Sequence, residues 1–318
     1  MYLIYTNAKW VDQGVIAAYA FDLSFGAEEN DFEVTIEAGS AALESNAMIY
    51  MEGTEYGGII GGAKTKTDSD TITYTGRTWH GIMNSKVIQP DSGADYYTVS
   101  GDANAILSTL ISRLGLSDLF AAAEGSSGIN IKSYQFNRYC KGYDGIRAML
   151  AANNAKLKIA WKNRSVRLSA EPIEDYTNAP VDDDIATMSI EQHDDKINHL
   201  ICLGKGDLAE REVIHLYVDQ FGRIGNTQYY TGLAEITETY DNANSDDLRN
   251  DGIAKLKELR DNDKADISLP ESEGLTYDIG DIVGASEIKS GVSVTANVTQ
   301  KIVKINNGVV STDYKTGG

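Results

Sequence analysis

Four histidines are the only imidazole side chains of this chain, namely His80, His193, His199 and His215. A catalytic histidine needs a second base or a nucleophile within hydrogen-bond reach, and the sequence places no such motif beside any of them. His80 follows Trp79 at the end of an alternating, strand-like run. We therefore predict that none of the four is catalytic, and that Trp79 and His80 pack at a boundary between domains or subunits.

Metal binding would need side chains that converge on one point. Strand spacing sends His193 and His199 to the same side but ~20 Å apart, which argues against a shared ion. His215 alternates with apolar neighbours in a predicted hairpin, which is typical of a surface or core residue. The acidic run at residues 182–184 lacks the alternating ligands, central glycine and closing glutamate of an EF-hand. The sequence predicts a solvated linker there and no metal site.

The sequence lacks motifs for covalent or cofactor chemistry. Cys140 and Cys202 have no CxxC partner, so we predict two buried thiols. The glycine-rich residues 57–62 are followed by a strand, whereas a dinucleotide-binding loop must open a helix. Residues 204–207 lack the upstream glycine and the hydroxyl of a phosphate loop. We predict no cofactor and no enzyme activity, although 47 acidic residues leave a carboxylate pair for glycoside hydrolysis open.

Short strands dominate the first hundred residues. Phe32, Val34 and Ile36 alternate with Glu33 and Thr35, which is the period expected of a half-buried strand. Further short runs follow, with polar turns about every ten residues. This pattern favours an antiparallel barrel or sandwich.

Helical periodicity appears in three places. Asp102 is a plausible N-cap for a helical region at residues 102–123, which includes a second short helix at 116–123. Further helices are predicted at 143–153 and 246–263 from the spacing of their apolar residues. A helical segment therefore interrupts the β pattern.

The chain returns to strands at its C-terminal end. Residues 171–195 carry nine acidic residues and no Lys or Arg, which predicts an exposed crossing between domains. Asn307 and Gly308 supply the positive-φ positions of a tight hairpin. We predict a mainly β, α+β chain with two tube-like antiparallel β-barrel domains and an inserted α/β domain. The predicted domains are a first barrel at residues 1–99, the helical α/β domain at 100–180 with 207–263 returning to it, and a second barrel at 181–206 with 264–318.

The charge balance limits the partners. With 28 basic and 47 acidic residues the formal net charge is −19, which argues against holding nucleic acid because phosphate binding needs Lys and Arg. A surface past which nucleic acid slides without binding remains compatible with this charge. The N-terminal residues lack the basic and apolar regions of a signal peptide. No stretch approaches ~18 apolar residues, so we predict no membrane span and synthesis in a cytoplasm.

The order of several segments resembles the tail hub proteins of siphophages and contractile-tailed phages, also called tail-associated or baseplate hub proteins. One of these segments is residues 55–90, in which a predicted strand ends in Gly76-Arg77. The aromatic pair Trp79 and His80 follows, and the segment ends at Pro90. Other runs resemble the central helix and hairpin and the second half of that family. They lie at residues 143–168, 197–222 and 277–287.

The resemblance implies a structural virion protein, assembled in the cytoplasm of a bacterial host and located in the virion tail. It implies a homotrimeric ring with two related barrels per subunit, which joins a hexameric tail tube to a threefold tip. Implied neighbours are tail tube or distal tail proteins, tip spike or fibre proteins and a tape measure protein, with DNA only passing through the channel. We therefore expect a channel wall with few uncompensated Lys or Arg side chains.

Two alternatives stay open at the level of sequence. One is a tail-associated cell-wall hydrolase. The other is a receptor- or carbohydrate-binding tail protein, suggested by 18 tyrosines against 6 phenylalanines. A weak internal similarity between the two ends of the chain fits a duplicated barrel, but two competing alignments describe it: residues 59–76 with 302–317, or 57–61 with 280–284.

Overall fold

Strands predominate in the computed structural model, which confirms the mainly β, α+β class. The structure describes residues 2–178, 181–182, 187–191, 195–220, 222–243, 245, 247–260, 264–270, 276–286 and 289–317. The described strands, in chain order, are β1 Leu3–Thr6, β2 Asp12–Ile16, β3 Tyr19–Gly26, β4 Asp31–Glu37, β5 Met48–Tyr50, β6 Gly57–Thr65, β7 Thr71–Thr78, β8 Val87–Ile88, β9 Thr98–Asp102, β10 Phe120–Ala122, β11 Asn130–Gln135, β12 Cys140–Lys141, β13 Ala155–Lys162, β14 Ser165–Pro172, β15 Val181–Asp182, β16 Thr187–Glu191, β17 His199–Leu203, β18 Val213–Val218, β19 Ile224–Gly225, β20 Thr237–Asp241, β21 Lys264–Pro270, β22 Ile282–Ser286, β23 Ser293–Asn306 and β24 Val309–Gly317. The helices are α1 Trp79–Asn84, α2 Ala103–Arg113, α3 Gly142–Ala151 and α4 Leu248–Arg260, with 3₁₀ turns at Leu208–Glu210 and Gly232–Ala234.

The chain forms two compact units. Unit 1 comprises residues 1–189 and 265–316, and unit 2 comprises residues 190–264 with the last two residues. Among the described residues, no helix is long and apolar enough to cross a lipid bilayer.

A 13-stranded sheet organises unit 1. Its strand order is β16-β21-β24-β23-β3-β4-β7-β6-β5-β1-β2. Strand β22 pairs with β23 as a branch of this sheet, and β15 pairs with β22. The antiparallel pair of β3 and β23, in register at Leu23 and Val303, connects the N-terminal strands to the C-terminal ones. The sheet is therefore continuous across the two regions that the sequence assigned to separate barrels, and the division into two barrels stays a prediction.

Two apolar cores lie within unit 1. The first is formed mainly by the inward residues of β1 to β7, for example Phe21, Phe32 and Val34, together with Val303 and Ile305 of β23. The second is formed by α1, α2 and α3 with the hairpin of β13 and β14. Alternation along each strand fills the first core, whereas helical stripes fill the second.

Local signals in the helical region have mixed outcomes. Asp102 caps α2 as predicted, because its Oδ1 accepts hydrogen bonds from the backbone N–H groups of Asn104 and Ala105. The predicted short helix at 116–123 is wrong, since β10 occupies part of it and pairs in parallel with β14, with Phe120 opposite Val166. The sequence also missed α1, which directly follows β7.

Unit 2 has a four-stranded sheet with the order β19-β18-β17-β20. Helix α4 contributes Leu248 and Leu256 to a core with Leu200, Cys202 and Leu216. Strand β17 pairs with β18 and β20, so its residues fold with the segment that follows. This differs from the prediction that residues up to 206 join the second barrel.

Candidate functional site

The outward side of the main sheet is polar. In β4, Phe32, Val34 and Ile36 are buried while Asp31 and Glu33 are exposed, so alternation divides apolar from acidic side chains. Register places outward residues of the neighbouring strands beside them. We call this surface the polar face, and its members are Asp22, Ser24, Asp31, Glu33, Thr35, Lys64, Thr73, Thr75, Arg77, Lys304 and Asp313.

Basic side chains on the polar face have acidic neighbours. Lys64 forms an ion pair with Glu33. Lys304 Nζ lies 3.2 Å from an Asp313 carboxylate oxygen.

Arg77 lies opposite Asp31 in the strand register, at an exposed position. Burial raises the pKa of Asp22, Lys304 lowers it and Glu33 raises it, so the net pKa lies above the ordinary value. The face thus combines several carboxylates with two lysines that have acidic partners and with the exposed Arg77.

A charged cluster lies beneath the same strands. Lys301 of β23 is 5% exposed, and its Nζ lies 2.7 Å from Glu55 Oε1 in the connection between β5 and β6. The second carboxylate oxygen of Glu55 is 3.7 Å from His80 Nε2. The imidazole of His80 stacks on Phe25 with ring centroids 4.4 Å apart. This cluster links three segments that are distant in sequence.

Mutual attraction outweighs burial in the pKa of the ion pair. Burial alone would raise the pKa of Glu55, but the Lys301 charge and the neighbouring His80 lower it to about 2. Burial would lower the pKa of Lys301, but Glu55 raises it above its ordinary value. Burial lowers the pKa of His80, against the opposing effect of Glu55. The cluster therefore holds an ionised pair beside a neutral imidazole at neutral pH.

Trp79 and His80 both pack inside unit 1. Thr78 caps α1 by accepting a hydrogen bond from the backbone N–H of Gly81, which turns the chain out of β7. Trp79 is fully buried and stacks on Trp161 with centroids 5.5 Å apart. Both side chains thus pack in the interior of unit 1, whereas their predicted position at a boundary between domains or subunits stays a prediction, as does the absence of catalytic residues.

A second buried cluster connects β13 to the segment before β22. Lys156 Nζ lies 2.7 Å from Asp281 Oδ1 and 3.2 Å from Asp278. Lys158 also contacts Asp278, at 2.7 Å. Asp281 accepts hydrogen bonds from the backbone N–H groups of Glu174 and Asp278 as well. These contacts tie the helical region to the C-terminal strands.

In unit 2 the structure brings together two histidines that the sequence treated separately. His199 Nε2 is 2.8 Å from His215 Nδ1, and His199 Nδ1 is 2.6 Å from Glu235 Oε1. The antiparallel register places His215 opposite Ile201, two residues from His199. The correct register of the hairpin formed by β17 and β18 would have predicted this pair from the sequence. His193, the partner considered from sequence, lies outside the described residues.

The remaining candidates form no reactive centre in the part of the chain that the structure describes. Cys202 is buried and Cys140 is half-buried, both as free thiols, and burial raises the pKa of each. Both thiols are therefore protonated and poorly nucleophilic at neutral pH. Of the acidic run at 182–184, the structure describes only the backbone of Asp182. No group of three or more His, Cys, Asp or Glu that could hold a metal occurs among the described residues.

Comparisons with known proteins identify the class of fold. No protein-family model and no curated protein matches the sequence. Solved structures match the chain over nearly its whole length, among them three tail proteins. They are a tail protein from Neisseria meningitidis MC58 (TM-score 0.59, 12% identity, covering 100% of this chain and 96% of that one), the prophage tail protein gp18 from Listeria monocytogenes EGD-e (0.59, 11%, 100% and 94%) and the 43 kDa tail protein of prophage MuSo2 from Shewanella oneidensis (0.62, 9%, 99% and 98%).

These matches establish the fold of phage tail proteins for the entire chain. The identities of 9–12% make the likeness one of fold. The family resemblance stated from the sequence is confirmed at that level.

Proposed function

We propose that this chain is a structural protein of a phage tail or tail-like injection particle. The observation that carries the proposal is the shared fold, because it spans nearly the full length of three tail proteins and leaves no large extra domain in any of them. In the finer form of the proposal, three copies form a hub ring at the distal end of the tail. The ring joins the tail tube to a spike or fibre at the tip and surrounds the path of the tape measure protein and DNA.

The polar face supports a role as the wall of a DNA channel. A wall that passes DNA must not retain phosphates, and unpaired Lys or Arg would retain them by releasing counterions. Lys64 is paired with Glu33 and Lys304 with Asp313, and Asp22 adds a negative charge opposite Lys304. We assign this surface to the channel because two of its three cations, Lys64 and Lys304, are paired with carboxylates.

The mass of the native assembly tests the hub directly. We expect a homotrimer by native mass spectrometry and a ring by electron microscopy. A chain that stays monomeric at every concentration would contradict the hub ring. Peptidoglycan zymography and a glycan-binding screen test the two alternatives, and activity or binding by the purified chain would favour the hydrolase or the receptor-binding protein respectively.

A charge-reversal experiment tests the assignment of the polar face. Asp22→Lys with Glu33→Lys should raise the affinity of the assembled ring for duplex DNA at low salt, with a salt slope that steepens by about 0.9 for each new phosphate contact. Asp118→Lys with Glu124→Lys makes the same charge change at exposed positions outside the face. Equal DNA affinity of the two variants would contradict the channel role while leaving the trimer intact.

A further inference from the structure

The two histidines of unit 2 point ring nitrogens at each other. His199 Nε2 and His215 Nδ1 are separated by 2.8 Å across neighbouring strands β17 and β18. We propose that this pair binds a divalent transition-metal ion of the zinc, nickel or copper class. The site is independent of the proposed tail function.

Glu235 sets the protonation of His199. A carboxylate only accepts hydrogen bonds, so the contact at 2.6 Å requires His199 Nδ1 to carry a proton. In the neutral imidazole the lone pair then lies on Nε2, which faces His215. A carboxylate on the remote nitrogen is the arrangement that commonly orients metal-ligating histidines and increases their basicity.

Further contacts fix the carboxylate and the ring. Gln228 Nε2 donates to the same Glu235 oxygen at 2.9 Å, and Tyr217 stacks on the His199 ring with centroids 4.4 Å apart. The side chain of Asn198 anchors the turn before Glu235 by donating to the carbonyl of Ala234 at 2.8 Å. His199 is 7% exposed. One ligand is thus held in place before any ion arrives.

His215 can supply the second ligand because it is exposed. In the metal-free pair its Nδ1–H donates to His199 Nε2, and metal binding transfers that proton to His215 Nε2 by a change of tautomer. Two nitrogens bound at about 2.0–2.1 Å to one tetrahedral ion stand about 3.3 Å apart. The two nitrogens therefore have to separate by about half an ångström, and the exposed His215 ring has to swing aside and turn so that both lone pairs point at the ion.

The ligand set defines the class of ion. Imidazole nitrogens suit zinc, copper and nickel, whereas calcium and magnesium require oxygen ligands. In the part of the chain that the structure describes, no third His, Cys, Asp or Glu completes a protein-only set. Water or donors from another molecule fill the remaining positions, so binding is weaker than in a closed structural zinc site. The Glu235 charge and the net charge of −19 favour the cation.

Calorimetric titration of the chelator-treated full chain with Zn²⁺ tests the site. We expect one ion per chain, loss of binding in His215→Ala, and an affinity about 10- to 100-fold weaker in Glu235→Gln. Thr239→Ala is the matched control because Thr239 is also exposed on this sheet, and it should bind like the wild type. Excess Mg²⁺ should not compete.

Two results would overturn the proposal. One is the absence of Zn²⁺ binding by the folded wild type, which would leave the histidine pair with a purely structural role. The other is equal affinity in wild type and His215→Ala, which would place any bound ion elsewhere. Circular dichroism of each variant establishes that the fold is retained, and exposure of His215 makes that outcome expected.

Discussion

Two lysines on one strand differ in burial in this protein. Lys301 and Lys304 both lie in β23 and both form an ion pair with an acid. The Lys301 side chain is 6% exposed and its partner Glu55 16%, whereas Lys304 is 55% exposed and Asp313 32%. Alternation along one strand thus assigns one pair to the interior of unit 1 and the other to the polar face. Burial, and not residue type, determines how much each ion pair contributes to the stability of the fold.

The difference follows from solvation. A buried ion pair loses much hydration on folding, and removing one partner leaves an uncompensated charge. An exposed pair remains hydrated and is screened by salt, so it contributes little to stability. The inner pair should therefore contribute strongly to stability, and the outer pair should contribute mainly to the electrostatic field at the polar face.

Removal of the inner cation should have the largest effect. Lys301→Met keeps the length of the side chain but leaves Glu55 buried without its main partner. We expect the free energy of unfolding to fall by about 3–5 kcal/mol, measured by urea denaturation at neutral pH.

A double variant identifies the origin of that loss. Glu55→Gln with Lys301→Met removes both charges, and it should recover part of the stability lost in Lys301→Met alone. A double variant that is less stable than Lys301→Met would contradict the uncompensated charge as the cause.

The loss of stability at acid pH should depend on the same pair of Glu55 and Lys301. The pKa of Glu55 is lowered from 4.5 to about 2, so its contribution is fully present above the unfolded-state value and is lost as the pH falls toward the folded-state value. The total is about 3 kcal/mol. Urea unfolding should show the stability gap between wild type and Glu55→Gln narrowing as the pH falls below 4.5. A gap that stays constant over that range would assign the acid sensitivity to other carboxylates.

Local sequence signals were sufficient for much of the fold. The alternation of apolar and polar residues in β4 predicted which of them are buried, and Asp102 indicated the start of α2. Asn307 and Gly308 adopt the positive φ values, 50° and 88°, that the hairpin between β23 and β24 requires. Each of these features depends on residues that are neighbours in the chain, which is why the sequence alone was enough.

Features that depend on distant partners escaped sequence reasoning. Phe120 lies in a strand only because β14 pairs beside it, and α1 is too short to show helical periodicity. The contact between Glu55 and Lys301 joins residues far apart in sequence and depends on the pairing of β3 with β23. A charged residue has no sequence pattern that marks it as buried when its partner is that remote.

Removal of a cation from the second buried cluster should lower stability by an amount between the effects at Lys301 and Lys304. Lys156→Met removes the cation closest to Asp281, but Asp281 keeps the two backbone N–H donors from Glu174 and Asp278. We expect a loss of about 1.5–3 kcal/mol, as for a hydrogen bond to a charged group, by the same urea assay. Lys158→Met is the matched control because Lys158 is 42% exposed, and it should cost less. A loss as large as that of Lys301→Met would mean that backbone donors do not compensate a buried carboxylate.

The outer lysine should show the smallest effect. Lys304→Met removes an exposed ion pair with Asp313 and the charge opposite Asp22, and we expect the free energy of unfolding to change by no more than about 0.5 kcal/mol. Because β23 keeps its backbone pairing and its buried neighbours Val303 and Ile305, the variant should fold and assemble like the wild type. Urea unfolding at low and high salt measures the effect, and any difference should shrink at high salt because screening already weakens the pair. A loss comparable with that of Lys301→Met would show that position along the strand, rather than burial, determines what an ion pair contributes here.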